Sequence, residues 1–422
     1  MIAKQAIPSA VHSKWPVVIL LSLGMVIAYV DRANLSALLG LKSFQDWMHL
    51  DDTGRGLLNS AFFWSYALLQ IPAGWLVDRY GPKRPYAFGF AIWSLASAAS
   101  GIVQGMGQLV AARLVLGMGE SVSTAASLRW IRLNCAEKER GLATGILFAG
   151  TKVGAALGVP ITVALVLHFN WRLMFILSGL GGLVWLVAWL IALQDSPAVA
   201  RTERRARDRL VPAERVRILD LLATPTVAGI LLGTFAYNYF IYFCLTWLPA
   251  YFTEARHLSP KAMGLYTMFS FGGMAVIGIV AGWMADRFIA RGGNPVRVRR
   301  LFTMIGFIVA STELIGILSQ SNTVALFFAI FSLTGLGLAT ANYWALTQTI
   351  FPSAAVGRMV GIQNFASNLS GIVAPITTGW LKHKTGGYGA AGFVVLAMLI
   401  LGLLSYGWLV RENAGERFKA GG

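Results

Sequence analysis

Charged residues are scarce in this sequence. Asp, Glu, Lys and Arg make up 13% of its 422 residues, whereas hydrophobic residues make up 56%. A soluble domain carries about 25% charged residues, and the mean hydropathy here is +0.64. This shortage of charge excludes an ordinary soluble protein and predicts a polytopic membrane protein.

Cysteine and the side-chain patterns of enzymes are also lacking. The two cysteines, Cys135 and Cys244, fall in a predicted loop and within a predicted span, so they indicate neither a disulfide nor a metal site. We find no nucleophile–base pair, no metal-ligand spacing and no cofactor fingerprint, and therefore expect neither an enzyme nor a cofactor. The first apolar run is too long for a signal peptide and lacks a small-residue cleavage site.

Acidic residues are few relative to basic ones, 18 against 35, which gives a formal net charge of +17. Such an excess can indicate nucleic-acid binding. Here the cations lie in short loops between apolar runs, so we exclude nucleic acid as a partner and expect the lipid bilayer instead.

Twelve mostly apolar segments are each long enough to cross about 30 Å of hydrocarbon. They cover approximately residues 15–39, 54–77, 83–103, 108–131, 141–167, 172–193, 223–252, 262–285, 300–319, 323–351, 357–381 and 388–410. The longest polar stretch follows the sixth segment. We therefore predict an all-α membrane protein with an N-terminal six-helix bundle (1–194), a cytoplasmic linker (195–222) and a C-terminal six-helix bundle (223–422).

The basic residues predict the orientation of these spans. With both termini in the cytoplasm, the cytoplasmic segments hold about 25 of the 35 Lys and Arg residues, and the opposite loops hold about 7. The remaining three are within spans. The bias predicts cytoplasmic termini.

A short internal repeat relates the two halves of the chain. The sequence G-W-x-x-D-R occurs at residues 74–79, after the second span, and again at 282–287, after the eighth. Acids and bases at such helix ends can pair in one conformation and separate in another, as a gate requires; ordinary positive-inside loops are the alternative. The candidate gating residues are Asp78, Arg79, Asp286 and Arg287.

These motifs resemble a known family. The pattern G-x-x-x-D-R-x-G-x-K-R at residues 74–84 is a signature of the major facilitator superfamily, and the six-plus-six layout agrees with it. Within that superfamily, residues 29–34, 113–120 and 237–251 resemble the anion:cation symporter family of sugar-acid and sialin-like transporters. The resemblance implies two pseudo-symmetric six-helix bundles and transport of an organic anion. The fold usually works as a monomer.

Ionisable residues within spans are costly and mark functional sites by default. Six occur here, and their formal charges sum to zero: Asp31, Arg32, Arg113, Glu120, Lys152 and Glu313. Helix depth predicts an ion pair of Arg113 with Asp31, and places Glu120 within reach of Arg32 or Lys152. We interpret Glu313, in a peripheral span, as structural.

The roles of these residues follow from their chemistry and from the resemblance. A buried carboxylate whose cationic partner moves can exchange a proton, and an Arg guanidinium presents a fork suited to a carboxylate. In sugar-acid relatives the counterparts of Asp31 and Glu120 are implicated in proton coupling, and that of Arg32 in substrate binding. The alternative is that these are structural ion pairs.

Lys152 departs from the family pattern as a further central cation. It favours a substrate with a second acidic group, or else it only neutralises Glu120. Polar and aromatic residues of other spans suit a hydroxylated anion, with interhelical hydrogen bonding as the alternative. The candidates are Tyr66, Asn238, Tyr239, Asn342, Trp344, Asn364 and Asn368.

The sequence thus predicts a proton-coupled symporter in the bacterial inner membrane. It would import a small organic anion, a sugar acid such as an aldonate, hexuronate or aldarate, by alternating access. An organic-anion exchanger or efflux carrier without net proton coupling is the first alternative, and a membrane receptor or scaffold is the second.

Overall fold

The computed structural model describes residues 14–135, 137–193, 224–351 and 353–411, without the side chains of Asp78, residues 137–142 and residues 353–358. The predicted linker, 195–222, lies outside the described residues, so the division into two bundles stays a prediction. We call the described residues up to 193 the N-half and those from 224 onwards the C-half. The helices are α1 (Lys14–Leu39), α2 (Lys42–Met48), α3 (Asp52–Tyr80), α4 (Lys83–Ala99), α5 (Met106–Glu120), α6 (Ser123–Asn134), α7 (Glu137–His168), α8 (Trp171–Ala192), α9 (Pro225–Ala250), α10 (Pro260–Ala290), α11 (Pro295–Ala310), α12 (Glu313–Leu318), α13 (Asn322–Ile350), α14 (Ser353–Thr385) and α15 (Gly389–Leu404), with π-helical turns at Tyr251–Ala255 and Ser405–Leu409.

Helices cover all twelve predicted spans. Within the described part of the chain, nine helical stretches are long and apolar enough to cross a membrane. The three others are α3 and α14, whose apolar character is diluted by polar residues, and α4, which has 17 residues.

Two predicted spans are interrupted rather than continuous. The fourth breaks after Glu120, and the ninth breaks before Glu313. At each break a hydroxyl side chain donates to a carbonyl of the preceding turn: Ser121 to Met118 at 2.7 Å, and Thr312 to Val309 at 2.6 Å. Such bonds compete with the helical backbone pattern, a local effect that hydrophobic periodicity does not reveal.

Glycines set the distance between α1 and α7. A Cβ atom on Gly150 would lie 2.3 Å from the carbonyl oxygen of Ser22, and one on Gly154 would lie 2.5 Å from that of Val26. Small residues at such contacts let helix backbones approach closely in a membrane. This approach holds α7 against the segment of α1 that carries the central charges.

We expect Gly154→Val to destabilise the protein by about 1–3 kcal/mol, because the added methyl groups overpack the contact with α1. The loss is measurable as a lower Tm in detergent. Gly145→Ala is the matched control, since it lies in the same helix and a Cβ there meets nothing within 4 Å. An unchanged Tm for Gly154→Val would contradict the packing argument.

The N-half and C-half meet closely at one end of the molecule, which we call the Arg55 end. A Cβ on Gly56 would lie 2.5 Å from the carbonyl oxygen of Pro375, and one on Gly379 would lie 2.3 Å from that of Asp52. The start of α3 and the last third of α14 are therefore in backbone contact. With the predicted orientation, this end faces away from the cytoplasm.

Candidate functional site

The centre of the N-half contains a buried ion pair. Arg32 of α1 donates from Nε and Nη2 to one carboxylate oxygen of Glu120, at 2.9 and 2.6 Å. Their side chains are 8% and 0% exposed. The two residues are 88 positions apart, so the helix packing brings together two of the sequence-predicted site residues.

Aromatic rings enclose the guanidinium of Arg32. Its central carbon lies 4.6 Å from the ring centroids of Tyr29 and Phe62, and 4.8 Å from that of Tyr66. Cation–π attraction in a desolvated site stabilises a charge by about 2 kcal/mol. The rings therefore stabilise the guanidinium in addition to Glu120, and the predicted site residue Tyr66 is one of them.

Glu120 is the last residue of α5. A helix C-terminus carries partial negative charge and disfavours an acid, so Arg32 offsets both the carboxylate and the helix end. The second carboxylate oxygen, Oε1, is buried and has no hydrogen-bond partner in the described part of the chain. Only one of the two carboxylate oxygens is hydrogen-bonded in that part, so the other is free to take up a proton.

Asp31, next to Arg32 in the chain, points to a different set of partners. Trp93 donates to its Oδ2 at 2.7 Å, and Ser97 donates to its Oδ1 at 3.0 Å. Asn34 adds a longer contact of 3.3 Å. All three donors are neutral. Asp31 is 2% exposed. Its carboxylate is held by these neutral hydrogen bonds, and Arg113 is near enough to attract it without a direct ion-pair contact.

This arrangement corrects the expected ion pair between Arg113 and Asp31. Arg113 donates to the backbone carbonyl of Asp31 at 3.3 Å, and its guanidinium lies 5.2 Å from the ring of Phe175. Its Nε and Nη2 atoms are buried without a partner among the described residues. The neutral donors Trp93 and Ser97 occupy the place that helix depth assigned to Arg113.

Lys152 does not neutralise Glu120, which corrects that alternative. Within the described residues the half-buried Lys152 makes no hydrogen bond and no ion pair, because Glu120 is engaged by Arg32. It lies on α7 between the two glycines that pack against α1. In the described part of the chain, Lys152 is therefore a cation without a protein counter-charge.

The candidate residues of the C-half are neutral and mostly bound to their own helices. Asn238, Asn342 and Asn368 each donate to the backbone one turn earlier at 2.9 Å. The Oδ1 atom of Asn342 is buried without a partner in the described chain. Tyr239 is buried beside Phe235, and Trp344 is half-buried beside Tyr343.

One candidate residue links the two halves. Asn364 of α14 donates to the side chain of Gln70 of α3 at 2.7 Å. Gln70 was missed in the sequence because a single glutamine in an apolar helix has no distinctive pattern. Phe62 and Phe63 were missed for the same reason, and both line a cavity with Arg32, Arg113, Asn59 and Thr246.

The predicted gating residues make no pair across the two halves among the described side chains. Arg79 packs over Trp75, and Arg287 packs over Trp283. Asp286 is 67% exposed and pairs with Arg299 at 2.8 Å. The side chain of Asp78 lies outside the described part, so its gating role stays a prediction.

A charged cluster at the Arg55 end was not predicted. Arg55 pairs with Asp52 and with Glu254 at 2.7 Å each. Lys382 pairs with the same two acids at 2.6 and 3.0 Å. We call Asp52, Arg55, Glu254 and Lys382 the Arg55 cluster. The formal charges of its two acids and two bases sum to zero, and Arg55 is 2% exposed.

Neutral donors extend the cluster. Gln45 donates to Glu254 at 2.7 Å, and Tyr388 donates to it at 3.1 Å. Glu254 sits in the π-helical turn that follows Pro249, and this turn directs it towards the N-half. The predicted non-cytoplasmic loops contain both acids and bases, and this mixture was the sequence signal for the cluster. Orientation depends only on the basic residues, so it does not reveal the pairing.

Comparison with known proteins agrees with this architecture. Residues 21–375 match the family model of the Major Facilitator Superfamily. The hexuronate transporter of Bacillus subtilis is 30% identical over 96% of this chain and 96% of its own. The probable L-galactonate transporter of Escherichia coli K12 is 30% identical over 94% of this chain and 89% of its own.

A solved structure supports the fold separately. The D-xylose–proton symporter superposes with a TM-score of 0.76 at 18% identity, covering 96% of this chain and 99% of its own. The matched family and the relatives are transporters rather than enzymes, and the chain is an integral membrane protein. The resemblance inferred from the motifs is confirmed: the chain belongs to the major facilitator superfamily, and transporters of sugar acids are among its relatives.

Proposed function

We propose that this protein is a proton-coupled symporter that imports a sugar acid. The observation that carries the proposal is the Arg32–Glu120 pair, in which a carboxylate of the protein occupies the guanidinium fork. Protonation of Glu120 removes its negative charge and releases that fork for the carboxylate of a substrate. Uptake of a proton and binding of an anion are thereby linked at one residue.

Asp31 has the second proton-coupling role in this proposal. Its carboxylate is adjacent to the substrate-binding Arg32 and is surrounded by neutral donors. Arg113, which contacts the Asp31 backbone, supplies positive charge near both carboxylates. Import of more than one proton for each anion lets the membrane potential drive uptake of a negatively charged substrate.

The C-half provides the opposite wall of the site. Its amide and phenol groups bind hydroxyls without adding charge, and the Asn364–Gln70 contact supports closure of α14 on α3. The proposed hydroxyl-binding residues are Tyr66, Asn238, Tyr239, Asn342, Trp344, Asn364 and Asn368. The two halves then rock about the bound anion, as in other transporters built from repeats.

The gates lie at the two ends of this site. The Arg55 cluster closes the end that faces away from the cytoplasm, and Asp78, Arg79, Asp286 and Arg287 act at the other end. The protein works as a monomer in the bacterial inner membrane with both termini in the cytoplasm. The bias of basic residues towards the predicted cytoplasmic segments supports this orientation.

Uptake into proteoliposomes tests the proposal. A panel of labelled hexuronates, aldonates and aldarates is offered under an inward proton gradient, with and without a protonophore. We expect one of these acids to accumulate and the protonophore to abolish accumulation. Exchange of preloaded anion without gradient-driven accumulation would overturn proton coupling and support an exchanger.

We expect Glu254→Gln to open the Arg55 end more often, because Arg55 loses its charged partner across the two halves, and Lys382 loses Glu254, one of its two acids, within the C-half. Partly exposed pairs of this kind contribute about 1–2 kcal/mol together. A cysteine at Asn59, which is 7% exposed beneath the cluster, should then react about 5 to 30 times faster with an impermeant maleimide.

The control for this variant is Asp46→Asn, which breaks an exposed Lys42–Asp46 pair at the same end. It should leave the rate of maleimide labelling at the introduced cysteine unchanged. Both variants are made in a background where Cys135 and Cys244 are alanine. Equal labelling of Glu254→Gln and the parent protein would show that the cluster does not hold this end closed.

A further inference from the structure

Arg113 has one edge of its guanidinium that no described residue uses. Its Nε and Nη2 atoms are buried without a hydrogen-bond partner in the described part of the chain, and the residue is 2% exposed. Its other contacts are a bond of 3.3 Å from Nη1 to the carbonyl of Asp31, and the ring of Phe175 at 5.2 Å. Unused donors on a buried charge cost free energy and are rare in folded proteins, so they point to a function rather than to stability.

The unused edge is the one that binds carboxylates. Arg32 donates from the same two atoms, Nε and Nη2, to Glu120. Two neighbouring N–H groups on the planar guanidinium form a fork that matches a carboxylate. Asp31 does not fill this fork on Arg113, because neutral donors hold its carboxylate. Arg113 therefore has the geometry of an anion-binding residue without a protein anion among the described side chains.

Arg113 lies on the helix that leads from the Arg55 end to the central ion pair. This helix, α5, begins at Met106, whose side chain lies 3.5 Å from the position of a Cβ on Gly54, next to Arg55. It ends at Glu120. Arg113 is seven residues from either end of α5, which is about 10 Å along the helix axis. An anion that enters from the Arg55 end therefore reaches the level of Arg113 before that of Glu120.

A cavity between the two halves connects Arg113 with Arg32. Both arginines line it on the N-half side, and Leu245 and Thr246 of α9 line it on the C-half side. Its volume is about 20 Å³, so a sugar acid fits only after α9 has moved away. Because α9 continues into the turn that carries Glu254, opening of the Arg55 end withdraws α9 and enlarges this cavity.

We infer that Arg113 binds the carboxylate of a sugar acid that enters through the opened Arg55 end, before the acid reaches Arg32. This inference rests on the proposed import of a sugar acid and adds a second anion-binding residue to it. While Glu120 is ionised, it occupies the fork of Arg32, and the fork of Arg113 receives the anion. Protonation of Glu120 then releases Arg32, and the carboxylate passes from Arg113 to Arg32.

Transport measured separately from each side of the membrane tests the inference. Labelled galactonate and glucuronate are offered to right-side-out and inside-out membrane vesicles. We expect Arg113→Gln to raise the KM about tenfold from the outer side, where a charge-assisted contact is lost, and less than about threefold from the cytoplasmic side. Arg113→Lys keeps the charge but not the two-donor edge, so its KM should lie between those of the wild type and Arg113→Gln.

Two further measurements separate binding from a structural effect. The Tm in detergent reports folding, and if Arg113→Gln does not fold, the outer-side KM of Arg113→Lys decides. Maleimide labelling of a cysteine at Asn59 reports how often the Arg55 end opens, and Arg113→Gln should leave its rate within about twofold of the parent rate. A change in labelling that accounts for the change in KM would overturn the inference.

The remaining outcomes distinguish this inference from the proposed function. An unchanged outer-side KM, or an equal rise in KM from both sides, would overturn the role of Arg113 while leaving sugar-acid transport intact. Failure of the wild type to accumulate any sugar acid would contradict both the inference and the proposed function.

Discussion

Replacement of Arg32 by alanine is expected to abolish both uptake and exchange of the anion. The substitution removes the guanidinium fork and the charge held by Tyr29, Phe62 and Tyr66. Loss of a charge-assisted bidentate contact costs about 3–5 kcal/mol when the site is buried, which corresponds to a loss in affinity of about 100- to 1,000-fold or more. Substrate binding and counterflow in proteoliposomes measure this effect.

The same substitution also leaves Glu120 buried without its cation, so loss of folding must be separated from loss of binding. The double variant Arg32→Ala with Glu120→Gln removes that unpaired charge. We expect it to recover the Tm lost in Arg32→Ala but not to recover transport. Counterflow by the double variant at the wild-type rate would show that Arg32 does not bind the substrate.

Replacement of Glu120 by glutamine is expected to separate transport from the proton gradient. Glutamine retains the shape of the side chain but cannot take up or release a proton. Arg32 is then no longer neutralised and stays available for the anion. Exchange of labelled for unlabelled substrate should continue, whereas accumulation against a gradient should fall to the level of a protonophore-treated sample.

A buried carboxylate away from the site serves as the matched control. Glu313 is 2% exposed and accepts a hydrogen bond from Ser332 within the C-half. Glutamine can accept the same bond, so Glu313→Gln should accumulate substrate as the wild type does. Gradient-driven accumulation by Glu120→Gln, or its loss in Glu313→Gln alone, would contradict the coupling role of Glu120.

Much of the fold could be predicted because its features are local. Each span has the length that the hydrocarbon core requires, and charges in the middle of a span are conspicuous within an apolar run. A buried charge at the end of a span, such as Arg55, is not. The breaks after Glu120 and before Glu313 could not be read from hydrophobicity. They depend on hydroxyl groups that compete for backbone carbonyls, which the hydrophobic pattern does not contain.

The site could be predicted only in part. The sequence identified Arg32 and Glu120 as central, but it offered both Arg32 and Lys152 as partners for Glu120. It also paired Arg113 with Asp31, whereas Trp93 and Ser97 fill the space around that carboxylate. Helix depth gives the level of a residue in the membrane, but not the face of the helix on which its neighbours lie.

The sequence by itself thus determined the membrane class, the number and approximate length of the spans, and which charges lie in the middle of a span. These properties follow from hydrophobicity and length along the chain. Only the tertiary structure decided the partner of each charge: the Arg32–Glu120 pair, the Arg55 cluster, and the lack of a counter-charge for Lys152 among the described residues. The Arg32–Glu120 pair joins residues 88 positions apart, and the Lys382–Asp52 pair joins residues 330 positions apart. Such contacts depend on how closely glycine contacts allow the helices to approach.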